Sequence, residues 1–249
     1  MTTTSPGKAS GVGGEATIQA SPEDYWQRYW QHQAAESLGS AAQVQVQRTW
    51  QGRPITDAEF RPIVDWILDQ LRPGLDDVVL DLCCGNGAIT HHLARRSARV
   101  LGVDFAQDLL RHVDREGHPN IELQQGDIRR CEFPADSFDR ILLYAGLQYL
   151  TQGETVLLMR RLRDWLRPGG RVLIGDVPDA DRMWDFFDSV SRRAAHFEQL
   201  VAGEPIIGTW FAPQWLAHLA RDSGFATAEV LLQPKTLPYA HFRFELLLS

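Results

Sequence analysis

The sequence predicts a doubly wound α/β fold, in which helices cover both faces of a mainly parallel sheet. From residue 77 onward, short apolar segments alternate with amphipathic segments of helical length. This alternation is typical of right-handed βαβ units. A glycine-rich turn also follows the first apolar segment and precedes a helix, the arrangement with which such sheets bind ligands.

The composition indicates a soluble globular protein with an acidic surface. The 249 residues carry 25 Lys and Arg against 32 Asp and Glu, a formal net charge of −7, which excludes a generally basic nucleic-acid binder. Three cysteines without a repeated Cys/His spacing predict neither a disulfide framework nor a metal site. No stretch approaches the roughly 20 apolar residues that cross a bilayer. We therefore expect a cytoplasmic protein without nucleic-acid or membrane partners, for which a homodimer is one possible assembly.

The first part of the chain predicts a leader and a helical cap. Residues 1–20 are rich in Thr, Ser, Gly and Ala and bury too little apolar surface to offset the entropy of ordering, which predicts a disordered leader. Ser21 and Pro22 then have the types preferred at the cap and the first position of a helix. A second helix is predicted over Thr56–Leu71 by its apolar stripe. We assign residues 21–76 to this cap.

Residues 77–249 form the predicted core domain. Seven strands are expected in it: Val78–Cys83, Val100–Asp104, Ile121–Gln125, Arg140–Tyr144, Val172–Val177, Ala226–Leu232 and His241–Leu248. Four helices are expected between them: Ala88–Arg95, Gln107–Glu116, Glu154–Leu166 and Pro213–Ser223. The less regular segment 178–211 is longer than the usual connection, which predicts a functional insertion that acts as a substrate lid.

The strongest functional signal is the turn after the first core strand. Residues Val79–Gly87 read Val-Leu-Asp-Leu-Cys-Cys-Gly-Asn-Gly. Gly85 and Gly87 allow close approach of the backbone to a ligand, and the helix start beyond them offers unpaired N–H groups. The same glycines would also suit a purely structural tight turn, so further landmarks are needed to choose between these interpretations.

Three further landmarks favour a ligand site. Asp104 ends the second strand about 20 residues beyond the turn, where a carboxylate accepts both ribose hydroxyls. Asp127 follows the third strand, where it can accept a hydrogen bond from an exocyclic amine such as that of adenine. The fourth strand at Phe138–Tyr144 and a helix–turn–strand junction at Leu166–Ile174 complete the series.

These landmarks, in this order, resemble the class I S-adenosylmethionine-dependent methyltransferases. The wider pattern is similar to bacterial methyltransferases of sugars and secondary metabolites. The resemblance implies a Rossmann-like seven-stranded sheet whose last strand is antiparallel, with S-adenosyl-L-methionine as cofactor and S-adenosyl-L-homocysteine as product. The family's first landmark is usually acid-x-Gly-x-Gly-x-Gly. Cys83 stands here in place of the first glycine, which narrows the space beside the methionine end but keeps a small residue.

The resemblance also implies which residues contact the cofactor. Asp81 and the glycine turn would hold its amino-acid portion and Asp104 its ribose. Phe105 and Ile128 would flank the adenine. The full predicted set is Asp81, Cys83, Gly85, Asn86, Gly87, Asp104, Phe105, Asp127, Ile128, Tyr144 and Gln148. A nicotinamide dinucleotide is the alternative cofactor, but its Gly-x-Gly-x-x-Gly turn needs a third glycine where this chain has Thr90.

The segment after the fourth strand bears on the acceptor. Tyr144–Tyr149 reads Tyr-Ala-Gly-Leu-Gln-Tyr and lacks the Asn/Asp-Pro-Pro-aromatic motif with which nucleic-acid and protein methyltransferases grip a planar nitrogen. We therefore expect a small-molecule acceptor. Its predicted contacts are the aromatic residues Tyr25, Tyr29, Tyr149, Trp184 and Trp210. Each of them could instead serve only to pack the cap and lid against the core.

The predicted reaction is methyl transfer to a hydroxyl or amine of a natural product, sugar or other metabolite. Such a reaction needs alignment of the acceptor and, for a hydroxyl, a general base. The candidates are His241, His196 and Asp176, and three arginines, Arg48, Arg53 and Arg243, are candidates to hold an acidic group of the acceptor. Two alternatives stay open: carboxyl methylation of a free or carrier-bound acid, and a catalytically inactive scaffold that binds the cofactor.

Overall fold

The computed structural model describes residues 22–50 and 52–249. The predicted leader, residues 1–20, and the predicted cap residue Ser21 therefore lie outside the described residues. The described chain forms a seven-stranded sheet covered by helices, together with a two-stranded hairpin. The predicted fold class is confirmed.

The strands are β1 (Thr49–Trp50), β2 (Arg53–Pro54), β3 (Val78–Leu82), β4 (Arg99–Asp104), β5 (Ile121–Gln125), β6 (Phe138–Tyr144), β7 (Leu166–Pro178), β8 (Ala228–Leu232) and β9 (Arg243–Leu248). The large sheet has the strand order β5-β4-β3-β6-β7-β9-β8. Its strands are parallel except β9, which runs antiparallel to both β7 and β8. Because β4 and β6 leave β3 on opposite sides, the strand order reverses beside β3, and the ligand crevice of such sheets opens at that point.

Helices cover both faces of the sheet. They are α1 (Pro22–Glu36), α2 (Ala42–Gln45), α3 (Asp57–Leu71), α4 (Thr90–Ala94), α5 (Gln107–Leu110), α6 (Gln152–Trp165), α7 (Met183–Phe186), α8 (Val190–Ala202) and α9 (Pro213–Asp222). None of the helices in residues 22–50 and 52–249 is long and apolar enough to span a membrane.

Strand residues alternate between two halves of the hydrophobic core. Val79 and Leu142 pack with the apolar stripe of α3 on one face, whereas Leu80 and Ile141 pack with α6 and α9 on the other. All four side chains are fully buried, and burial of each such side chain contributes about 1.5–3 kcal/mol. Burial on both faces explains why these strands are continuous apolar runs in the sequence.

Two long helices begin at reciprocal capping boxes. The Thr56 hydroxyl accepts the N–H of Glu59, and the Glu59 carboxylate accepts the N–H of Thr56. Thr151 and Glu154 make the same pair of hydrogen bonds at the start of α6. Each box satisfies backbone donors that the first helical turn leaves unpaired, so α3 and α6 begin close to their predicted positions.

The fifth helix is shorter than predicted. The expected helix reached Glu116, but α5 ends at Leu110. Beyond it, the Asp114 carboxylate accepts the N–H of Gly117, and the Asp114 N–H donates to His91. These hydrogen bonds take the place of the intrahelical ones and hold a turn. The lid segment is more regular than predicted, since it contains α7 and α8.

Candidate active site

A cavity of about 920 Å³ opens at the carboxyl edge of the sheet. Its walls come from the ends of β3, β4, β6 and β7, from α1, from the hairpin and from the lid. Small-molecule pockets span about 300–1,000 Å³, so this cavity has room for a cofactor together with a small acceptor. A second, small pocket adjoins it at the end of β5.

The turn after β3 forms one end of the cavity. Cys83 and Gly85 line it, and both adopt left-handed backbone conformations, with φ of 57° and 56°. Asp104 at the end of β4 accepts hydrogen bonds from the N–H groups of Gly85, at 2.9 Å, and Ala106, at 2.8 Å. The carboxylate thus fixes the turn to the neighbouring strand.

Asp104 has the chemistry that a ribose requires. Burial raises the pKa of its carboxyl group, while the backbone N–H groups of Ala106 and Gly85 act in the opposite direction. Each carboxylate oxygen keeps a further lone pair beyond these bonds, and the residue lines the cavity. A pair of vicinal hydroxyls fits this acceptor, so the site passes the test of fit to a ribose-containing cofactor.

Two of the predicted cofactor ligands, Asp81 and Gly87, line neither the large cavity nor the small pocket. Asp81 is buried and accepts a hydrogen bond from the Thr90 hydroxyl at 2.6 Å, and burial raises the pKa of Asp81 to about 7. A Cβ atom on Gly87 would lie 2.9 Å from the methyl groups of Val113. Both residues therefore support the turn from behind. The direct contact with the cofactor that the resemblance implied for these two residues stays a prediction.

The small pocket joins residues predicted to surround an adenine. Phe105, Asp127 and Ile128 line it. The Asp127 carboxylate accepts hydrogen bonds from Arg129 Nε at 2.9 Å and from Gln27 Nε2 at 3.3 Å. Helix α1 therefore reaches across the sheet edge to this pocket. No pattern in the sequence predicts that Arg129 and Gln27 are partners of Asp127.

Aromatic side chains form much of the wall of the large cavity. Tyr29, Trp30 and Tyr149 line the cavity, and the rings of Trp30 and Tyr149 meet edge to face at 5.8 Å. Tyr239 and Phe242 line it from the segment before β9. The cavity thus has flat apolar walls, with polar phenol groups that can reach a ligand.

Four of the residues predicted to contact the acceptor or to act as the base do not line the large cavity. Tyr25 packs against Trp26 and Tyr29 within α1. Trp184 is 49% exposed and Trp210 packs against lid aromatic residues. His196 is buried and stacks on Phe187 at a ring distance of 4.2 Å. His196 and both tryptophans thus belong to the packing of the lid, so the structure does not support contact with an acceptor or a base role for His196.

The polar end of the chamber lies at the carboxyl end of β7. Asp176 lines the cavity and has a left-handed backbone, with φ of 57°. Arg243 Nη1 donates to the Asp176 carbonyl at 2.6 Å and to Gln148 Oε1 at 2.9 Å. The predicted residues Tyr144, Gln148 and Asn86 also line the cavity. Arg243 therefore fixes the orientation of Gln148.

A buried carboxyl group lies directly beneath Asp176. Gln233 Nε2 donates to Glu245 Oε1 at 2.9 Å and to Asp176 Oδ1 at 3.3 Å. Glu245 is fully buried, and this burial raises the pKa of its carboxyl group to about 8. The sequence patterns did not single out Glu245. An acidic residue inside the apolar run of β9 is unusual, so this pattern could have indicated it.

His241 stands at the mouth of the cavity, next to Phe242 at a ring distance of 4.7 Å. Desolvation lowers the pKa of His241 below its usual range. The imidazole is therefore mainly neutral at pH 7 and can accept a proton.

The three predicted anion-holding arginines separate into two groups. Arg48 and Arg243 line the cavity, whereas Arg53 makes a bidentate ion pair with Glu59 on the outside of the hairpin. Arg53 is exposed and does not line the cavity.

A glycine turn, a carboxylate and a pocket lined by Phe105, Asp127 and Ile128 lie at adjacent strand ends, which is the arrangement of a nucleotide-cofactor site on the sheet of a methyltransferase. A family model described as a methyltransferase domain matches residues 79–170. The chain belongs to the class I S-adenosylmethionine-dependent methyltransferases, and S-adenosylmethionine is its cofactor. The predicted family and cofactor are confirmed.

Two relatives are named for the quinones they methylate. The 2-phytyl-1,4-naphtoquinone methyltransferase of Thermosynechococcus vestitus is 32% identical over 197 residues, which cover 70% of this chain and 77% of that protein. The demethylmenaquinone methyltransferase of Bacillus velezensis is 30% identical over 155 residues, which cover 57% of this chain and 63% of that protein.

Solved structures share the fold at lower identity. Haemonchus contortus phosphoethanolamine N-methyltransferase 1, bound to phosphoethanolamine and S-adenosylhomocysteine, has a TM-score of 0.65 at 16% identity, over 91% of this chain and 48% of that one. The DhpI–SAM–HEP complex has a TM-score of 0.63 at 18% identity, over 91% of this chain and 96% of that one.

Proposed function

We propose that this enzyme transfers the methyl group of S-adenosylmethionine to a hydroxyl or amine of a small, flat molecule. The observation that carries the proposal is one continuous cavity. It runs from the turn at Cys83 and Gly85, past Tyr29 and Tyr149, to His241. A cofactor at the turn and an acceptor between the aromatic rings would then be neighbours, as a direct transfer requires.

The cofactor roles proposed for this cavity follow its shape. Asp104 accepts the ribose hydroxyls, and Phe105 and Ile128 flank the adenine. Asp127 shares its carboxylate between Arg129 and the adenine amine. The Cys83–Gly85 turn faces the methionine end. When bound, the cofactor supplies a methyl group on a positively charged sulfur, which is already activated for displacement.

The chain's own residues then align the acceptor and remove its proton. The aromatic rings hold the acceptor flat, and the neutral imidazole of His241 accepts the proton of a hydroxyl as the new bond to the methyl carbon forms and the bond to sulfur breaks. Asp176 is the second candidate base, because it lines the same end of the cavity.

Methylation at a ring carbon of a reduced quinone is a second candidate function. The observation that favours it is the naming of both relatives for quinone acceptors, together with a chamber walled by aromatic side chains. A quinol carries hydroxyl groups, and loss of a hydroxyl proton makes the adjacent ring carbon nucleophilic. The same base would therefore serve either outcome.

The test is a methyl-transfer assay with the purified full chain and S-adenosylmethionine carrying a deuterated methyl group. The panel contains naphthalene-1,4-diol derivatives, phenols, sugars, amines and carboxylic acids, and mass spectrometry with NMR identifies the atom that is methylated. Transfer to oxygen or nitrogen supports the first candidate, and transfer to a ring carbon supports the second.

Two other results would contradict the proposal. Methyl esters as products would indicate carboxyl methylation, whose rate should not depend on His241. Binding of S-adenosylhomocysteine without turnover of any acceptor would indicate the inactive scaffold. The expected cytoplasmic location, the possible homodimer and the lack of nucleic-acid or membrane partners stay predictions.

A further inference from the structure

Arg48 is held rigidly at the cavity wall by its own backbone. Its N–H donates to the Gln43 carbonyl at 2.9 Å, and its carbonyl accepts the N–H of Ile55 at 3.0 Å. The guanidinium lies over the Phe60 ring, 4.7 Å from the centroid, and the residue lines the cavity. The Phe60 ring thus holds the cation by a cation–π contact without using any of its N–H donors in a hydrogen bond.

The guanidinium of Arg48 makes no hydrogen bond or ion pair with any residue in 22–50 or 52–249, and its Nη1 atom is buried without a partner. The other two arginines of the predicted group differ. Arg243 donates to Asp176 and Gln148, and Arg53 is paired with Glu59. Leaving the donors of a buried Nη1 unpaired is costly unless a ligand supplies an acceptor.

The acidic groups around Arg48 attract its guanidinium but do not form an ion pair with it. Asp176 and Asp81 attract it from beyond ion-pair distance, and the phenols of Tyr144 and Tyr239 also face it. Burial lowers the pKa of Arg48, but arginine stays charged at neutral pH. A cation without a paired carboxylate therefore faces the space in which the ligands of this enzyme must bind.

We propose that Arg48 binds an anionic oxygen group, a carboxylate or a phosphate, of a ligand in this cavity. The proposal rests on the proposed function, since it concerns the same cavity. The planar fork of a guanidinium matches two oxygens of such a group. Two sources share this chemistry: the α-carboxylate at the methionine end of the cofactor, and an acidic group on the acceptor.

The first arm of the test addresses the cofactor. Calorimetry compares S-adenosylhomocysteine with 5′-methylthioadenosine, which keeps the nucleoside and sulfur but lacks the amino-acid portion. If the cofactor is the source, Arg48→Gln weakens binding of S-adenosylhomocysteine at least tenfold and leaves 5′-methylthioadenosine unchanged. Arg53→Gln is the matched control, since it removes the same charge from the same hairpin outside the cavity, and it should change neither.

The second arm addresses the acceptor. In the protein loaded with S-adenosylhomocysteine, 2-naphthoate is compared with 2-naphthamide, which has nearly the same shape without the charge. Quenching of tryptophan fluorescence, to which Trp30 in the cavity wall contributes, reports the binding. If the acceptor is the source, the native protein prefers the carboxylate at least tenfold, and Arg48→Gln removes this preference.

A loss in either arm supports the site and identifies the source. The proposal is overturned if Arg48→Gln changes neither the affinity for S-adenosylhomocysteine nor the ratio of affinities for 2-naphthoate and 2-naphthamide. Should Arg48→Gln fail to fold, Arg48→Lys replaces it. Lysine keeps the charge without the fork, so a several-fold loss in the same arms is expected. Both arms measure binding only, so a failure of methyl transfer leaves them interpretable.

Discussion

The N–H of Gly85 donates a hydrogen bond to Oδ2 of Asp104 across 2.9 Å. Gly85 lies in the turn after β3, and Asp104 ends the neighbouring strand β4, so this bond ties the glycine turn to the carboxylate proposed to bind ribose. A change at Asp104 should therefore affect cofactor affinity in two ways, through the lost ribose contact and through a looser turn.

Asp104→Ala is expected to weaken binding of S-adenosylhomocysteine roughly 10- to 100-fold, the range of one hydrogen bond to a charged group. Calorimetry on the purified protein measures the change. Asp108→Ala is the control, because Asp108 pairs with Arg111 on the exposed surface of α5. Equal affinities for the native protein and Asp104→Ala would reject the ribose assignment.

His241→Ala tests the proposed base. We expect kcat to fall by about 10²–10⁴-fold, the usual contribution of a general base, with little change in the affinity for S-adenosylhomocysteine. Because desolvation lowers the pKa of His241, the native rate should fall on the acid side of neutrality, where the imidazole becomes protonated, and the variant should lose that limb of the profile. His218→Ala, on the exposed side of α9, is the control.

Asp176→Asn distinguishes the two candidate bases. If kcat falls in this variant while His241→Ala keeps the native kcat, the base is Asp176. The amide keeps the shape of the side chain and can still meet Gln233, so a loss of structure is not expected.

Glu245→Gln should change how stability depends on pH. Burial raises the pKa of Glu245 from 4.5 to about 8. Between these values the folded protein keeps a proton that the unfolded chain has released, so the native protein loses stability as pH rises through this window. Each pKa unit corresponds to about 1.4 kcal/mol.

The variant cannot titrate at this position, so its free energy of unfolding should fall by less than that of the native protein between pH 5 and pH 9. Urea unfolding at several pH values measures the difference, which should grow with pH up to about 8. Glu229→Gln, at an exposed position of β8, should follow the native curve. A constant offset between native protein and Glu245→Gln would show that the carboxyl group is already ionised in the fold.

Local patterns in the sequence predicted the frame of the site. The buried strands are apolar runs because both Val79 and Leu80 face core, and the spacing from the turn at Gly85 to Asp104 is fixed by one βαβ unit. These relationships need only short stretches of chain, so residue order suffices to predict them.

Contacts between distant segments could not be predicted in this way. Gln27 reaches Asp127 across 100 positions, and Gln233 reaches Asp176 across 57. Aromatic residues of the lid illustrate the same limit. The sequence shows that the lid contains Trp184 and His196. Only the packing of α7 and α8 shows that these side chains contact other lid residues and do not line the cavity.

The turn after β3 has Cys83 where the family pattern usually has a glycine. Cys83 has a left-handed backbone, and a Cβ atom built on Gly146 would lie only 2.7 Å from its Sγ atom and 2.8 Å from Leu143 Cδ1. The side chain at position 83 thus occupies space that a glycine at position 146 leaves open. We expect Gly146→Ala to destabilise the fold by about 1–3 kcal/mol through overpacking.

Cys83→Gly relieves backbone strain and frees the same space, so it should have a small effect alone and should partly rescue Gly146→Ala. The rescue is partial because the contact with Leu143 remains. A double-mutant cycle in urea should give a coupling energy of at least about 0.5 kcal/mol, and Cys83→Gly should bind S-adenosylhomocysteine at least as tightly as the native protein. Strict additivity of the two substitutions would mean that the residues do not share this space. A measured coupling would instead explain how this turn accommodates a cysteine. Gly146, just after the neighbouring strand β6, has no side chain and so leaves space for the side chain of Cys83.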